Sequence, residues 1–227
     1  MTKISIVIPV YNEKNYIEAV LRKIDSTNIA DLKKEVIIVD DGSTDGTREI
    51  LSRLQDRYLI IFHQVNQGKG AALRSGFAKA SGEIIAIQDA DLEYDPSDLA
   101  KLVRPIITGQ SQVVYGSRMM GNNPIGHKRY YFGNKLITWS ASLLYGRALT
   151  DLETCYKVFA TSILDGLVLV QSDFAFEVEF TTSLLRRGVK IIELPISYHP
   201  RKFHQGKKIN WRDGIKALWL LVKYRFK

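Results

Sequence analysis

Ile84-Ile85-Ala86-Ile87 runs directly into Gln88-Asp89-Ala90-Asp91, and this stretch of the 227-residue chain decides the predicted fold. A short continuous apolar run is typical of a strand that is buried on both faces of a parallel sheet. Ligands of such sheets bind at the carboxyl ends of the strands. Two carboxylates at that end, with Glu93 two residues further on, supply the oxygen ligands that suit Mg²⁺ or Mn²⁺ holding a diphosphate. The stretch therefore predicts a metal site formed by Asp89, Asp91 and Glu93.

Strand and helix patterns alternate on both sides of this run. Short apolar runs bounded by turn residues predict the strands Ile4–Pro9, Val36–Asp40, Leu59–Gln64, Ile84–Gln88 and Val113–Gly116. Segments with helical spacing of apolar residues predict the helices Tyr16–Ser26, Thr44–Gln55, Gly70–Ala80 and Ser97–Thr108. This alternation is characteristic of an α/β fold with an open, mostly parallel sheet and helices on both faces.

The alternation breaks after Gly116. The remaining pattern predicts a helix from about Arg129 to Tyr145, a helix near Phe174–Arg187 and a closing strand near Lys190–Ile196. Two of the earlier helices have start signals, because Ser43 can cap the second and Asp95-Pro96 supplies a cap and a first-turn proline for the fourth. No linker or internal repeat interrupts the pattern, so we expect a single domain over residues 1–227.

The composition is that of a folded, intracellular protein. With 45% hydrophobic residues, a chain of this length can bury one sizeable core. The lone Cys155 excludes an internal disulfide and fits a reducing compartment. The N-terminus enters the first predicted strand without a secretory signal pattern. No apolar run approaches the roughly 20 residues of a membrane-spanning helix, so we expect a soluble or surface-associated protein in the cytoplasm.

Positive charge is concentrated at the end of the chain. The excess of 32 Lys and Arg over 24 Asp and Glu gives a net charge of +8. The late basic residues are Lys207, Lys208, Arg212, Lys216, Lys223, Arg225 and Lys227. From about Trp211, apolar residues recur among them at helical spacing, which predicts a basic amphipathic helix over 211–227. Tryptophan flanked by Lys and Arg favours an anionic membrane surface over nucleic acid, and the alternative is a helix that packs on the core with solvated lysines.

Two common nucleotide motifs are missing. The first strand ends without the G-x-G-x-x-G of dinucleotide-binding folds, and Lys69 is followed by Gly70 where a P-loop has Ser or Thr. At the end of the second strand, Asp40-Asp41 offers a carboxylate to a base N–H or a cap to a helix. These residues leave open whether Asp40 or Asp41 faces a nucleotide.

Four motifs together resemble those of family-two glycosyltransferases with the GT-A fold. They are Pro9-Val10-Tyr11-Asn12-Glu13, Val39-Asp40-Asp41-Gly42-Ser43, Asn66-x-Gly68-Lys69-Gly70 and Asp89-Ala90-Asp91-Leu92-Glu93. Later motifs resemble the dolichyl-phosphate mannose synthase branch: Tyr115-Gly116-Ser117-Arg118, Asp151 to Lys157, Phe174-x-Phe176-Glu177 and Glu193 to Tyr198. The resemblance covers nearly the whole chain and implies a nucleotide-sugar half (1–116), an acceptor half with a lid loop (117–210) and the C-terminal helix (211–227).

The resemblance also implies a donor pocket. Its nucleotide-sugar ligands would be Pro9, Tyr11, Glu13, Val39, Asp41, Lys69, Asp89, Ala90, Asp91, Arg118, Arg201 and Lys207. Within this set, Val39 and Asp41 would meet the base, and Asp89 and Asp91 would hold the metal. Glu93 departs from the branch, which commonly has Gln there. The lid loop implied above would exclude water from the pocket, which matters because the donor is prone to hydrolysis.

On the acceptor side, the resemblance implies that Arg118 and Arg129 bind a phosphate. The predicted catalytic residues are Asp89, Asp91, Arg118, Asp151, Arg201 and Lys207. A phosphate acceptor is already a nucleophile at neutral pH, whereas a hydroxyl acceptor requires a general base. Asp151 is the first candidate for such a base and Glu153 the second, and the sequence does not decide between them.

These expectations define the predicted function. The chain is predicted to be an inverting, metal-dependent transferase that moves a hexose from GDP-mannose or a UDP-hexose to a polyprenyl phosphate. It would act at the cytoplasmic face of a membrane, with no nucleic-acid partner. One alternative is transfer to a hydroxyl on a glycan or another small molecule. A second is a catalytically silent protein that binds nucleotide sugar and associates with a membrane.

Overall fold

The computed structural model describes residues 2–201 and 211–226. Its strands are β1 (Lys3–Val10), β2 (Lys33–Asp40), β3 (Leu59–Phe62), β4 (Ile84–Ile87), β5 (Val113–Ser117), β6 (Lys157–Ala160) and β7 (Ile191–Pro195). Its helices are α1 (Ile17–Ser26), α2 (Thr47–Ser52), α3 (Lys69–Phe77), α4 (Leu99–Leu102), α5 (Arg104–Ile107), α6 (Lys128–Tyr145), α7 (Phe176–Arg186) and α8 (Trp211–Phe226). Every helix in these two ranges is too short or too polar to cross a bilayer.

The strands form one seven-stranded sheet in the order β3-β2-β1-β4-β6-β5-β7. Its pairings are parallel except those of β6, which runs antiparallel to both β4 and β5. The predicted α/β class with a mostly parallel sheet is confirmed. Strand β6 was not predicted, and it joins β3-β2-β1-β4 to the β5-β7 pair.

Apolar strands explain why the sheet is central. Ile84, Ile85, Ala86 and Ile87 of β4 are all at most 2% exposed, as expected of a strand covered on both faces. The main apolar cluster surrounds the sheet, and a smaller one joins α6, α7 and α8. Burial of α8 residues Ala217, Leu220 and Leu221 in the smaller cluster shows that this helix packs on the protein through one face.

Two predicted local features differ from the structure. The predicted helix Ser97–Thr108 is divided into the short 3₁₀ turn Pro96–Asp98, α4 and α5, because Pro105 lacks the N–H that a continuous helix requires. Ser43 does not cap α2, which begins after Gly46; its Oγ instead accepts from the N–H of Asn12 at 2.9 Å. The predicted cap at Asp95 is confirmed, since its side chain accepts from the N–H of Ser97.

Candidate active site

A cavity of about 1050 Å³ lies at the carboxyl ends of the parallel strands. The residues of the predicted site that line it are Pro9, Tyr11, Glu13, Asp41, Lys69, Asp89, Ala90, Asp91, Glu93, Arg118, Arg129 and Arg201. Val39 does not line it, because its side chain is fully buried inside the sheet. Lys207 lies outside the described residues. The loops after several strands therefore bring most of the predicted residues into one space.

The end of β2 orients one of its two aspartates toward this cavity. Asp41 accepts hydrogen bonds from the N–H groups of Gln67 and Gly68, at 2.9 and 2.7 Å, and from His63 at 2.7 Å. Asp40 points away and pairs with the guanidinium of Arg48 at 2.8 Å. Of the two aspartates, Asp41 therefore faces the cavity, and its carboxylate holds the loop before α3.

Gly68 allows that loop to turn tightly into α3. Its φ of +95° lies in a region that L side chains rarely adopt, and a Cβ there would approach the carbonyl oxygen of Ser172 to 2.4 Å. The turn places Lys69 in the first position of α3, beside the acid pair after β4. The glycine thus positions a lysine in the cavity wall.

Lys69 belongs to a buried chain of alternating charges. Its ammonium lies 3.0 Å from Asp89 Oδ1 and 3.1 Å from Glu177 Oε1. The other oxygen of Glu177 pairs with the fully buried Lys157. Burial alone would raise the pKa of Asp89 and lower that of Lys69. The attraction between these two side chains outweighs burial, so the pKa of Asp89 is lowered and that of Lys69 is raised well above its usual value. Asp89 is therefore held ionised in a fixed place by residues from α3, α7 and β6.

Arg201 lies among three acids at the opposite side of Asp91. Its Nη2 is 2.8 Å from Asp91 Oδ2, its Nη1 is 3.0 Å from Glu13 Oε2, and its Nε is 3.8 Å from Glu93 Oε1. Burial, followed by the charges of Asp89 and Glu93, raises the pKa of Asp91 to about 7 despite Arg201. One guanidinium therefore does not neutralise this group of carboxylates.

Glu93 anchors the segment that follows β7. Its carboxylate accepts from the hydroxyl of Tyr198 and from the N–H of Arg201, both at 2.7 Å. Its carbonyl oxygen also accepts from the N–H of His199 at 2.9 Å. Glu93 thus fixes residues 198–201, the start of the predicted lid loop, near the acid pair. The sequence showed Glu93 only as a departure from the usual Gln and did not predict these contacts.

The donor set after β4 fits a hard divalent cation in its chemistry. Asp89, Asp91 and Glu93 supply carboxylate oxygens, and such a cation would neutralise the charge that burial and the neighbouring acids make costly on Asp91. Within residues 2–201 and 211–226, no three acidic, histidine or cysteine side chains are already arranged to hold a metal ion. Arg201 and Lys69 supply positive charge to these carboxylates instead.

Arg118 and Asp151 form a closed pair. Arg118 Nε and Nη2 donate to the two oxygens of Asp151 at 2.8 and 2.7 Å, and the Arg118 N–H and Asn134 Nδ2 donate to the same carboxylate. Asp151 is fully buried, and although burial opposes it, Arg118 lowers the pKa of this carboxyl. A carboxylate with its acceptors occupied is poorly suited to take a proton, so the geometry favours a positioning role for Asp151 over that of a base.

Glu153 has the opposite character. It lines the cavity, and its Oε1 is buried with no hydrogen-bond partner among the described residues. Burial, followed by the charge of Glu177, raises the pKa of Glu153 to about 7. This value suits an acid or base near neutral pH, and it distinguishes Glu153 from Asp151 in a way that the sequence did not.

The basic residues of the predicted acceptor site are separated. Arg118 is largely buried beneath Tyr198, with its guanidinium 5.3 Å from the ring centroid. Arg129 is exposed in the first turn of α6 and lines the cavity from that side. The two side chains therefore face the cavity from different elements. The sequence assigned no catalytic or binding role to Lys157 or Glu177, although both lie in motifs of the resemblance.

The model of glycosyl transferase family 2 matches residues 5–165, and the chain belongs to this family. It is a glycosyltransferase with the GT-A fold. A UDP-N-acetylglucosamine–dolichyl-phosphate N-acetylglucosaminyltransferase of Methanococcus voltae is 29% identical over 96% of this chain and 94% of its own. The dolichol-phosphate mannosyltransferase of Pyrococcus furiosus is 27% identical over 90% of this chain, which spans 59% of the length of that relative.

A solved structure shows the same fold. Glucosyl-3-phosphoglycerate synthase from Mycobacterium tuberculosis in complex with UDP matches 99% of this chain and 80% of its own, with a TM-score of 0.76 and 19% identity. Another structure of that synthase contains Mn²⁺ and UDP-glucose, with a TM-score of 0.74 at 19% identity over 98% of this chain and 77% of its own. At this identity the likeness concerns the fold alone.

Proposed function

We propose that this glycosyltransferase transfers a hexose from a nucleoside-diphosphate sugar to a polyprenyl phosphate, with inversion at the sugar. Two features of the acceptor half support the proposal. Both carboxylate oxygens of Asp151 already accept hydrogen bonds, so this residue is poorly suited to act as a base, and cationic side chains line the cavity. A phosphate acceptor needs no base and would be attracted first by Arg129, because the charge of Arg118 is already balanced by Asp151, so it fits a cavity of this kind. The relatives named above, which act on dolichyl phosphates, support this acceptor class but differ in sugar.

In the donor half, the nucleoside would contact Pro9, Tyr11, Glu13 and Asp41, and the diphosphate would lie near the Ala90 backbone. Asp89, Asp91 and Glu93 would hold Mg²⁺ or Mn²⁺, which when bound supplies positive charge to the leaving diphosphate. Lys69 keeps Asp89 ionised and oriented.

Arg201 is proposed to exchange partners when donor and metal bind. Its guanidinium pairs with Glu13 and Asp91 in the structure, and it would turn to the diphosphate together with Lys207. Positive groups aimed at a developing negative charge lower the barrier most when they are held in a site that excludes water. The segment from Tyr198 onward, anchored by Glu93, is accordingly proposed as the base of a lid.

Transfer to a hydroxyl acceptor is the second candidate, and Glu153 is the observation that favours it. A cavity carboxyl with a pKa of about 7 can accept a proton from a hydroxyl at neutral pH. In that case Glu153, and not Asp151, would be the base.

The proposed site of action is a membrane surface. We assign residues 1–116 to donor binding and 117–210 to acceptor binding within a single domain. The protein is proposed to lie at the cytoplasmic face of a membrane, attached through α8, whose Trp219 and Phe226 are exposed beside Lys223 and Arg225.

The test is a transfer assay with purified full-length protein, Mn²⁺, and either GDP-mannose or UDP-hexoses. Farnesyl phosphate and farnesol serve as matched acceptors that differ only in the phosphate. We expect product from farnesyl phosphate and none from farnesol, with loss on chelation by EDTA. Equal transfer to farnesol, abolished by Glu153→Gln, would instead support the hydroxyl acceptor. Tight nucleotide-sugar binding without any transfer or donor hydrolysis would support the silent alternative.

A further inference from the structure

Helices α6 and α8 both expose an apolar stripe. The exposed apolar residues are Phe132, Leu136, Trp139 and Leu143 on α6, and Ile215, Trp219, Val222 and Phe226 on α8. Steps of four, three and four residues place each set on one side of its helix. All of these side chains are between 49% and 80% exposed. We call these eight side chains the α6–α8 surface.

The orientation of α6 makes its exposed stripe unusual. Its inward polar side chains are used within the protein: Asn134 donates to Asp151, and Thr138 Oγ1 accepts from the N–H of Leu152 at 3.0 Å. The outward positions carry Phe, Leu and Trp, which is the reverse of a helix whose outer side faces water. Exposed apolar stripes on two helices that pack against each other mark an interaction site, because water-exposed faces rarely retain them.

Charge and aromatic geometry indicate what covers the surface. Helix α6 carries Lys128, Arg129 and Lys135 and no acidic residue, and α8 carries four basic residues and one acidic residue. Lys135 lies 5.1 Å from the ring of Tyr131, and Lys223 lies 4.6 Å from that of Trp219. Cationic stems laid along aromatic rings at the edge of an apolar stripe are typical of helices in the lipid headgroup region.

A second copy of the chain is a poorer occupant. Symmetric pairing of the α6–α8 surface with itself would bring two basic sets together with a single acidic residue, Asp213, on these helices of each copy. An anionic bilayer instead offers hydrocarbon to the stripes and negative headgroups to the lysines and arginines.

We propose that the α6–α8 surface docks on an anionic lipid bilayer and that α6 supplies half of it. The cavity reaches the same two helices, since Tyr130 and Ile137 of α6 and Gly214 and Ala217 of α8 line it. Docking in this orientation brings the acceptor end of the cavity to the membrane. This last step rests on the proposed function, because only a lipid-linked acceptor requires it.

The test compares full-length variants for flotation with phosphatidylcholine–phosphatidylglycerol vesicles. Trp139→Ser with Leu143→Ser changes α6, and Trp219→Ser with Lys223→Glu changes α8. Val168→Ser with Val170→Ser is the matched control, because these valines are 77% and 61% exposed in a loop outside the surface. We expect wild type and control to float, less so at high salt. Each helix variant should bind roughly tenfold or more weakly, since interfacial affinity scales with buried apolar area.

Vesicle binding of the α6 variant equal to wild type would overturn the proposal, as would a wild type that ignores anionic vesicles at low salt. A dimer of wild type in light scattering that the α6 variant abolishes would assign the surface to a second copy instead. Transfer to soluble farnesyl phosphate separates this proposal from the proposed function. It should be unchanged in the α6 variant, and its absence in wild type would refute the acceptor assignment while leaving the flotation result intact.

Discussion

Two arginine–carboxylate groups lie at the same edge of the sheet and are built on different principles. Arg118 faces one carboxylate, Asp151, through two short hydrogen bonds, and Asn134 occupies a remaining acceptor position. Arg201 is shared by Glu13, Asp91 and Glu93, with the Nε–Glu93 distance reaching 3.8 Å. The first group balances its charges, and the second does not.

The difference separates scaffold from responsive site. Removing one partner of a balanced, buried pair leaves an uncompensated charge, so such a pair fixes the loops that carry it. A group with more negative than positive charge is stabilised when a further cation binds. We therefore expect variants of the Arg118–Asp151 pair to lose stability, and variants of the Arg201 group to change ligand response and turnover.

Asp91→Ala should have the largest effect on activity. Loss of a proposed metal ligand should lower turnover on the order of 10² to 10³-fold while the protein remains folded. Thermal denaturation supplies a readout besides activity: Mn²⁺ with nucleoside diphosphate should raise the melting temperature of wild type but not of the variant. Asp95→Ala is the control, an acid in the same loop that caps a short helix. Wild-type turnover in Asp91→Ala would refute the metal site.

Asp151→Ala should have the largest effect on stability. It leaves the Arg118 guanidinium buried without its partner, which costs about 3–5 kcal/mol in the free energy of unfolding. Urea denaturation measures this loss. The double variant Arg118→Met/Asp151→Leu should recover much of the stability while remaining inactive, because it removes both charges. If the single variant is as stable as wild type, the pair is not the scaffold that its geometry indicates.

Arg201→Ala should affect turnover more than donor binding. Its proposed contact with the diphosphate strengthens as charge develops, so kcat should fall roughly ten- to a hundredfold with little change in KM. Arg201→Lys keeps the charge and should retain part of the rate. A raised KM at unchanged kcat would show that Arg201 contributes to donor binding only.

Glu153→Gln should have the smallest effect, visible as a change in pH dependence. With a pKa of about 7 against the usual 4.5, folded Glu153 retains its proton where the unfolded chain has lost it. The free energy of unfolding therefore falls as pH rises from about 4.5 to 7. Glutamine removes this slope, so the variant should match wild type near pH 4 and exceed it by about 3 kcal/mol at pH 8. Urea denaturation at both pH values measures this difference. If the difference in the free energy of unfolding between variant and wild type is the same at pH 4 and pH 8, the raised pKa of Glu153 is refuted.

The sequence predicted most of the sheet because its parallel strands are apolar runs followed by motif residues. Ile84–Ile87 was predicted from this pattern, and so was the acid pair that follows it. Strand β6 was not, because four residues beginning with Lys157 carry no clear period and their partners lie far away in the chain. Its buried lysine is stabilised there by Glu177 and by the carbonyl oxygens of Leu152 and Thr154, contacts that only the fold creates.

Within the site, the sequence identified residue types and the fold assigned their partners. Asp40 and Asp41 are adjacent and chemically alike, and only the loop before α3 distinguishes them. The sequence placed Asp151 before Glu153 as the candidate base. In the structure, their burial and partners shift the two pKa values in opposite directions, downward for Asp151 and upward for Glu153. The apolar stripe of α6 escaped notice because the helix has apolar residues on its inner side as well, so its periodicity is weak.

The antiparallel strand β6 also sets an order of folding. Strands β1 to β4 can pair among themselves as soon as residue 87 is available, through neighbouring parallel units. The free edge of β4 must then wait for residues 157–160, more than 70 positions later, before it is covered. Loop closure over such separations is slow, and nascent chains fold from the N-terminus. The corner that carries Asp89 and Asp91 is therefore expected to become ordered only after residue 160 has been synthesised, well after strands β1 to β4.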